Sequence, residues 1–489
     1  MSQEIRNLEP KELWNKFADL NAVPRPSKKE EKVIAFMKDF GKKLGFETIE
    51  DEVGNVIIKK PATAGMENRK TIVMQSHLDM VHQKNNDTDF DFDTQGIEMY
   101  VDGDWVRAKG TTLGADNGLG VATIMAILES KTIPHPAIEA LFTIDEETGM
   151  TGAMGLKGSL LDGEILLNLD TEEDDEIDIG CAGGIDVTAT AEYDEEETPE
   201  GSVGYKITVK GLKGGHSGMD IHKGLGNANK IMNRLLFDGF DNFGLQISEI
   251  KGGSLRNAIP RESVAKVIIA SIYDEAFVFD MQEIVNEIKT EFKTTEPNLE
   301  IVFEKLDETP AKVMPTIAQF YFVRAMYTAH NGVYRMSADF DDLVETSNNI
   351  AKVVLGEGKL SVQCLTRSSV ETSKMDLANA LRSAFELMGC EVEFSGSYPG
   401  WTPNAKSEIL DVLTGLYEKQ NNGEKPAVVA CHAGLECGIL GTNYPDMDMI
   451  SFGPTIKGAH SPDERASISS AQKYWKFVLE ILENIPSKN

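Results

Sequence analysis

The chain is predicted to be an α/β protein in which one domain is interrupted by another, and three observations predict it. Three apolar runs, within Thr71–Asp79, Ala137–Ile144 and Glu164–Leu169, each lead into acids or a histidine, the pattern of strands buried on both faces in a parallel-type sheet. Segments with helical apolar spacing alternate with these runs near both ends of the chain. Beyond Asp170 the composition turns sharply acidic, strand and helix patterns restart from about Val187, and the first kind of pattern returns only at Pro399. The expected domains are residues 1–186 and 399–489, which together form a mixed sheet flanked by helices, and an α+β insert over 187–398.

The elements follow in order. Two helices open the chain, the first with Leu13, Phe17 and Leu20 on its inner face. The second is expected to start at Ser27, with Glu30 closing a capping box and Val33, Phe36, Met37 and Phe40 buried, and to stop at Gly45. Glu47–Lys60 reads as two short strands turned at Gly54-Asn55. After the Thr71–Asp79 strand comes Gly110–Gly120, rich in glycine, ahead of a helix with Val121, Ile124, Met125 and Leu128 on one apolar face. The acid runs Glu172–Asp178 and Glu192–Glu200 read as solvated loops. In the insert, strands at Tyr205–Lys210, Ser263–Ala270 and Leu299–Lys305 alternate with helices at Gly224–Phe237 and Glu275–Phe292. A second set follows: a helix at Thr316–Ala329, a hairpin over Asn349–Thr366, a helix at Ser373–Leu387 and a strand at Cys390–Ser395. It reads as a diverged repeat of the first set, so the insert is expected to be internally duplicated. Strands at Ala427–Ala430 and Met449–Gly453 and a last helix carrying Tyr474, Phe477, Val478 and Ile481 complete the outer domain.

The totals narrow the function. A chain of 489 residues exceeds one ordinary core. With 48 Lys and Arg against 79 Asp and Glu, the net charge of −31 argues against nucleic acid or an anionic membrane as partner. The five cysteines are scattered without a Cys-x-x-Cys pair, which suits a reducing compartment better than a disulfide framework. No basic start followed by an apolar run and no apolar stretch of about 18 residues is present, so a cytoplasmic protein is expected.

His77, Asp116, Glu147, Asp170 and His460 fall at ends of the apolar runs and in Gly-rich or Gly/Pro loops. In open α/β sheets, ligands gather beyond the carboxyl ends of the strands. Taken alone, Asp116 reads first as a helix cap. Taken together, two imidazoles and three carboxylates suit divalent zinc, cobalt or manganese. Five ligands exceed one four-coordinate zinc with an open position, but they serve two cations roughly 3.5–4 Å apart if one carboxylate bridges, and Asp116 is the natural bridge. If Glu146 and Glu147 alternate faces as strand neighbours do, one of them binds metal while the other acts as general base on a water. Asp79 stands where it can accept the second N–H of the His77 imidazole.

Read together, Ser76-His-Leu-Asp79, Gly114-Ala-Asp-Asn-Gly118, Asp145-Glu-Glu-Thr-Gly149, Asn168-Leu-Asp170 and Gly458-Ala-His-Ser-Pro462 resemble the signatures of the M20 metallopeptidases. Lys60–Arg69, Gln83–Asp87, Gly110–Gly118 and Gly180-Cys-Ala-Gly-Gly-Ile-Asp186 extend the likeness toward the family's dipeptidases. The resemblance implies a zinc-exopeptidase-like fold with the insert as a lid. It assigns His77 and Asp170 to one metal and Glu147 and His460 to the other, with Asp116 shared. It also implies Glu146 as base, Asp79 as orienter of His77, and a cis peptide at Asp116-Asn117. In the insert, His216 of Gly214-Gly-His-Ser-Gly218 matches the histidine directed at the scissile carbonyl oxygen. Asn257, Arg367 and Gly434 match positions for substrate recognition, Arg367 as a clasp for the substrate carboxylate. Smaller members pair through their lids, so the resemblance admits a homodimer, whereas a duplicated lid would supply His216 in cis. The activity implied is hydrolysis of unblocked dipeptides, including Xaa-His dipeptides. A deacylase of N-acyl amino acids and a non-catalytic metal-binding domain that keeps the fold are the alternatives the same residues allow.

Overall fold

The computed structural model describes residues 3–432 and 434–488. Its contacts divide the chain into two units, Met1–Gly180 with Trp401–Ala430 and Leu435–Asn489, and Cys181–Gly400 with Cys431–Gly434.

The first unit is built on an eight-stranded mixed sheet. Its order is Glu47–Glu50, Val56–Lys60, Ile138–Thr143, Ile72–His77, Ile165–Asn168, Asp448–Ser451, Glu176–Cys181, Ala427–Cys431. Ile72–His77 lies parallel to both Ile138–Thr143 and Ile165–Asn168, and Asp448–Ser451 is parallel to the latter. Every residue of Ile72–His77, Ile138–Thr143 and Ile165–Asn168 is buried, as uninterrupted apolar runs require. Because these strands run the same way, they release the chain at one sheet edge.

Four readings of the sequence are corrected here. A short helix, Gln3–Arg6, precedes the helix Lys11–Leu20. The next helix begins at Glu31, not Ser27: Lys28 takes a positive φ of 70°, its N–H is held by Glu30 Oε1 at 2.9 Å, and the Ser27 hydroxyl turns away to Asp79. The helix Ala115–Glu129 is buried on all sides from Asn117 to Leu128, because it carries no charged residue there and packs between Lys11–Leu20 and the Ile72–His77 strand. The acid run after Asp170 is a loop only as far as Asp175. Glu176–Cys181 joins the sheet, and buried Asp178 accepts the Thr171 hydroxyl at 2.8 Å.

The second unit carries a nine-stranded sheet whose main path runs Glu300–Lys305, Ser202–Lys210, Ser263–Ala270, Gln246–Gly252, Val344–Gly356, Lys359–Ser368, Gly183–Glu192, Glu391–Tyr398. Gly332–Met336 pairs with Val344–Gly356 off this path. Gln246–Gly252 and Val344–Gly356 meet antiparallel at the middle. Outward from that seam the strand order of one half mirrors that of the other, and each half contributes two helices, Ala228–Phe243 with Asp274–Glu291 and Thr316–Thr328 with Glu371–Glu386. The opening strand of the second half, Gly183–Glu192, precedes the whole first half in sequence. Among the described residues no helix is long and apolar enough to cross a membrane.

Phe277 anchors the core of this unit, fully buried with its ring 5.1 Å from Tyr205, 5.3 Å from Phe243 and 5.7 Å from Phe303. Truncating such a side chain removes its transfer energy and leaves a cavity. Phe277→Ala is therefore expected to destabilise the protein by about 3–5 kcal/mol in urea unfolding; a loss below about 1 kcal/mol would show that these rings do not form a packed core.

Candidate metal centre

Five chain segments converge beyond the parallel strands. His77 is the last residue of its strand, and Asp170 lies two residues past Asn168. Asp116 sits in a non-helical step at the start of Ala115–Glu129, and His460 lies in a loop at φ 64°. Glu146 and Glu147 are in a turn after Ile138–Thr143, not at alternating strand positions as expected from the sequence. The turn is set by Asp145, at φ 57°, whose carboxylate accepts bonds from Lys28 Nζ at 2.5 Å, the Thr151 hydroxyl at 2.7 Å and the Thr148 hydroxyl. Both glutamates therefore face the cluster rather than opposite sides of a sheet.

The ligand atoms form two overlapping triads, His77, Asp116 and Asp170, and Asp116, Glu147 and His460, each with its atoms within 4.8 Å of one another. His77 Nε2 lies 3.1 Å from Asp116 Oδ1 and 3.5 Å from Asp170 Oδ1. His460 Nε2 lies 3.2 Å from Asp116 Oδ2 and 3.0 Å from Glu147 Oε2. The two oxygens of Asp116 thus face different histidines, the geometry a bridging carboxylate needs. Glu146 joins His77 and Glu147 in a further group of the same span. The Asp116-Asn117 peptide is cis.

The charges are unbalanced toward the negative. For Asp116, burial raises the pKa, but hydrogen bonds with His460 and His77 outweigh it and hold the carboxyl below the ordinary range. Hydrogen bonds to Asp116 and Glu147 push His460 up to about 11. Burial alone would lower His77, yet Asp170 and Asp116 raise it well above the usual imidazole value. Burial pushes Glu146 well up, and Glu147 and Asp170 upward. The upward pull on both imidazoles marks a site of excess negative potential, which divalent cations would relieve. Glu147 Oε1, buried without a hydrogen-bond partner, is a lone-pair donor left open for such a cation. The nitrogen and oxygen donors present therefore fit a pair of divalent metals.

In the second unit His216 opens a ribbon in which Gly215–His216 pairs with Ala258–Ile259, and the Ser217 N–H donates to the Asn257 carbonyl at 2.8 Å. This brings His216 and Asn257 together, with the Asn257 side chain exposed. His216 Nδ1 accepts the N–H groups of Gly218 at 3.2 Å and Met219 at 3.0 Å, so the neutral ring carries its proton on Nε2. Burial lowers its pKa, which keeps it neutral. Arg367 is nearly buried in the strand Lys359–Ser368, and Gly434 belongs to the segment Cys431–Gly434 of the same unit.

Residues 73–484 match the model of peptidase family M20/M25/M40. The chain belongs to this family. It is 43% identical to the cytosol non-specific dipeptidase of Escherichia coli over 99% of this chain and 100% of the relative. It superposes on the crystal structure of an aminoacylhistidine dipeptidase from Vibrio alginolyticus with a TM-score of 0.96 and 45% identity, covering 100% of this chain and 99% of that one. An aminopeptidase structure from Bacillus cereus, 17% identical and covering 98% of this chain and 99% of that one, has a TM-score of 0.56, a likeness of fold alone.

The residues that shape this M20 site lie behind the ligands, and sequence reasoning missed most of them. Asp79, which it did identify, has Oδ1 3.3 Å from His77 Nδ1 and accepts the N–H groups of Glu146 at 3.0 Å and Glu147 at 3.3 Å and the Ser27 hydroxyl at 2.8 Å. Asn117 donates to Asp170 Oδ1. Arg25, fully enclosed, donates to the carbonyls of Leu78, Asp79 and Gly114. Glu464 accepts four successive backbone N–H groups, Leu113 at 2.7 Å, Gly114 at 2.9 Å, Ala115 at 2.7 Å and Asp116 at 3.2 Å. No signal in the sequence marks Glu464 beyond its place just after the His460 loop. Glu464→Ala would strand those four donors. Partners of metal ligands carry about 10–100-fold of metal affinity when removed, and a loss in that range, read by metal titration, is expected here; unchanged affinity would mean that the loop holds Asp116 without Glu464.

Proposed function

We propose that this M20 peptidase is a cytoplasmic, metal-dependent dipeptidase that hydrolyses unblocked dipeptides, Xaa-His dipeptides among them. The observation that carries this reading is the pair of triads joined through Asp116 with Glu146 beside them. His77 and Asp170 would hold one divalent cation and Glu147 and His460 the other, with Asp116 between, zinc being the metal proposed and cobalt or manganese its substitutes. Such a pair supplies Lewis acidity to the scissile carbonyl and makes a water acidic enough to ionise near neutral pH.

The chain's own groups do the rest. Glu146 takes the proton of the attacking water as its oxygen adds to the carbonyl carbon, giving a tetrahedral intermediate. The same carboxyl then returns the proton to the departing amine, so one residue serves as base and as acid. Asp79 fixes the position of Glu146 through the backbone N–H it accepts, and the tautomer of His77 through Nδ1. His216, with its proton held on Nε2, is a donor for the oxyanion that develops on the carbonyl oxygen. Arg367 clasps the terminal carboxylate of the dipeptide, and Asn257 and the Gly434 backbone complete its recognition. The names of the E. coli and V. alginolyticus relatives support the substrate class.

Glu146→Gln keeps the shape and loses the base. Turnover is expected to fall by about 10²–10⁴-fold with metal content unchanged, and near-normal turnover with both metals bound would remove Glu146 from the mechanism. A free dipeptide should be cleaved at least about tenfold faster, as kcat/KM, than its N-acetylated form; the reverse preference would make the protein a deacylase.

A further inference from the structure

The Gly183-Gly184 pair and the strand Glu391–Tyr398 have no part in the chemistry above, yet they surround Arg367. In the sheet, Arg367 is paired with Gly184 on one side and Ser347 on the other, and Gly184 is in turn paired with Tyr398. Arg367 Nη1 donates to the Tyr398 hydroxyl at 2.8 Å, whereas Nε is buried without a hydrogen-bond partner. A buried N–H left unbonded costs about 1–3 kcal/mol, so Nε is a donor that an acceptor from outside the chain would satisfy. Nε and Nη2 form the fork of the guanidinium that matches a carboxylate's two oxygens. Holding Nη1 therefore fixes the plane of the fork, while Nε, with Gly218 close beside it, is left without a partner.

The seat of Tyr398 depends on the missing side chain at Gly184. A Cβ there would stand 2.6 Å from Cε1, 2.7 Å from Cζ and 2.7 Å from the hydroxyl oxygen of Tyr398. The end of the tyrosine's strand is tied down by Lys374, fully buried, which donates to the Tyr398 carbonyl at 2.8 Å. Asp186, the nearby acid, is paired with Arg256 at 3.2 Å.

The geometry points to Tyr398 as a positioning residue that sets specificity: its hydroxyl orients Arg367 for the terminal carboxylate of the substrate, and Gly184 is the gap that admits its ring. This rests on the reading of Arg367 as carboxylate clasp. The test compares alanyl-histidine with its C-terminal amide on the zinc-loaded enzyme and its Tyr398→Phe, Gly184→Ala and Arg367→Lys variants. Loss of one such hydrogen bond is expected to raise KM for the free acid about tenfold in Tyr398→Phe, with kcat within about twofold and the amide unaffected, so that the acid-over-amide preference falls about tenfold. Gly184→Ala, which displaces the ring but keeps the hydroxyl, is expected to give the same split. A Tyr398→Phe enzyme that keeps the full preference, or loses acid and amide turnover together, overturns the proposal. If Arg367→Lys abolishes the preference while Tyr398→Phe keeps it, only the role of Tyr398 fails. If Arg367→Lys keeps it too, the carboxylate clasp itself is wrong.

Discussion

The candidate metal centre depends on how the chain satisfies four consecutive peptide N–H groups. Leu113, Gly114, Ala115 and Asp116 all point their donors one way at the start of a buried helix, where water is excluded and the helix adds positive potential. Glu464 meets all four with one carboxylate. Arg25 grips the same loop through the Gly114 carbonyl and reaches the carbonyls of Leu78 and Asp79, so the loop of Asp116 and the end of the His77 strand share one guanidinium. Asp79 then carries the connection to the Glu146–Glu147 turn, and Asn117 to Asp170. Because Glu464 leaves the same loop as His460, every segment that carries a candidate ligand enters one hydrogen-bonded net. Bonds to charged groups contribute about 1.5–3 kcal/mol each, and losing a partner leaves a buried charge uncompensated. The spacing of the candidate ligands is thus set by groups that never need to touch a metal.

That net sits in a field of its own making. Burial pushes Glu172 and Glu436 up to about 8 and Glu464 to about 7, and it lowers Arg25 to about 10 against the pull of its acidic neighbours. Glu436 shows how such a group is tolerated: it accepts Gln75 Nε2 at 2.6 Å and the Thr143 hydroxyl at 2.7 Å. Gln75 continues through Asn168 to Ser451, so a polar chain crosses three neighbouring parallel strands behind the ligands. The sheet centre is polar where it supports the site and apolar elsewhere.

What the sequence revealed follows from how each residue's job is signalled. The segments that carry the candidate ligands were legible because an apolar run that ends in His or Asp has a period and a break, and motifs such as Ser76-His-Leu-Asp79 keep their parts adjacent. Arg25, Ser27 and Glu464 were not, because their partners lie far along the chain and a lone Arg or Glu has no local pattern. Ser27 even gave a false one: Ser-x-x-Glu reads as a capping box, but the hydroxyl serves Asp79. The helix after Gly114 misled for the opposite reason, since a segment apolar all round always contains an apolar face. Glu146 and Glu147 do come together beside His77, but through a turn fixed by Asp145 rather than by strand alternation.

The glycines of the second unit show why a motif can be visible while its purpose is not. A Cβ at Gly218 would collide with the His432 carbonyl, in the turn whose N–H groups hold His216 Nδ1. A Cβ at Gly183 would meet the backbone of Tyr398–Gly400. In both places glycine is required by another segment that arrives late in the sequence and packs on bare backbone. Within this unit, therefore, the residues that would handle a substrate depend on bare backbone beside them, whereas the candidate ligands of the first unit are held by charged groups. A substitution that adds volume should disturb recognition, and one that removes charge should disturb the metal site, so the two failures carry different signatures.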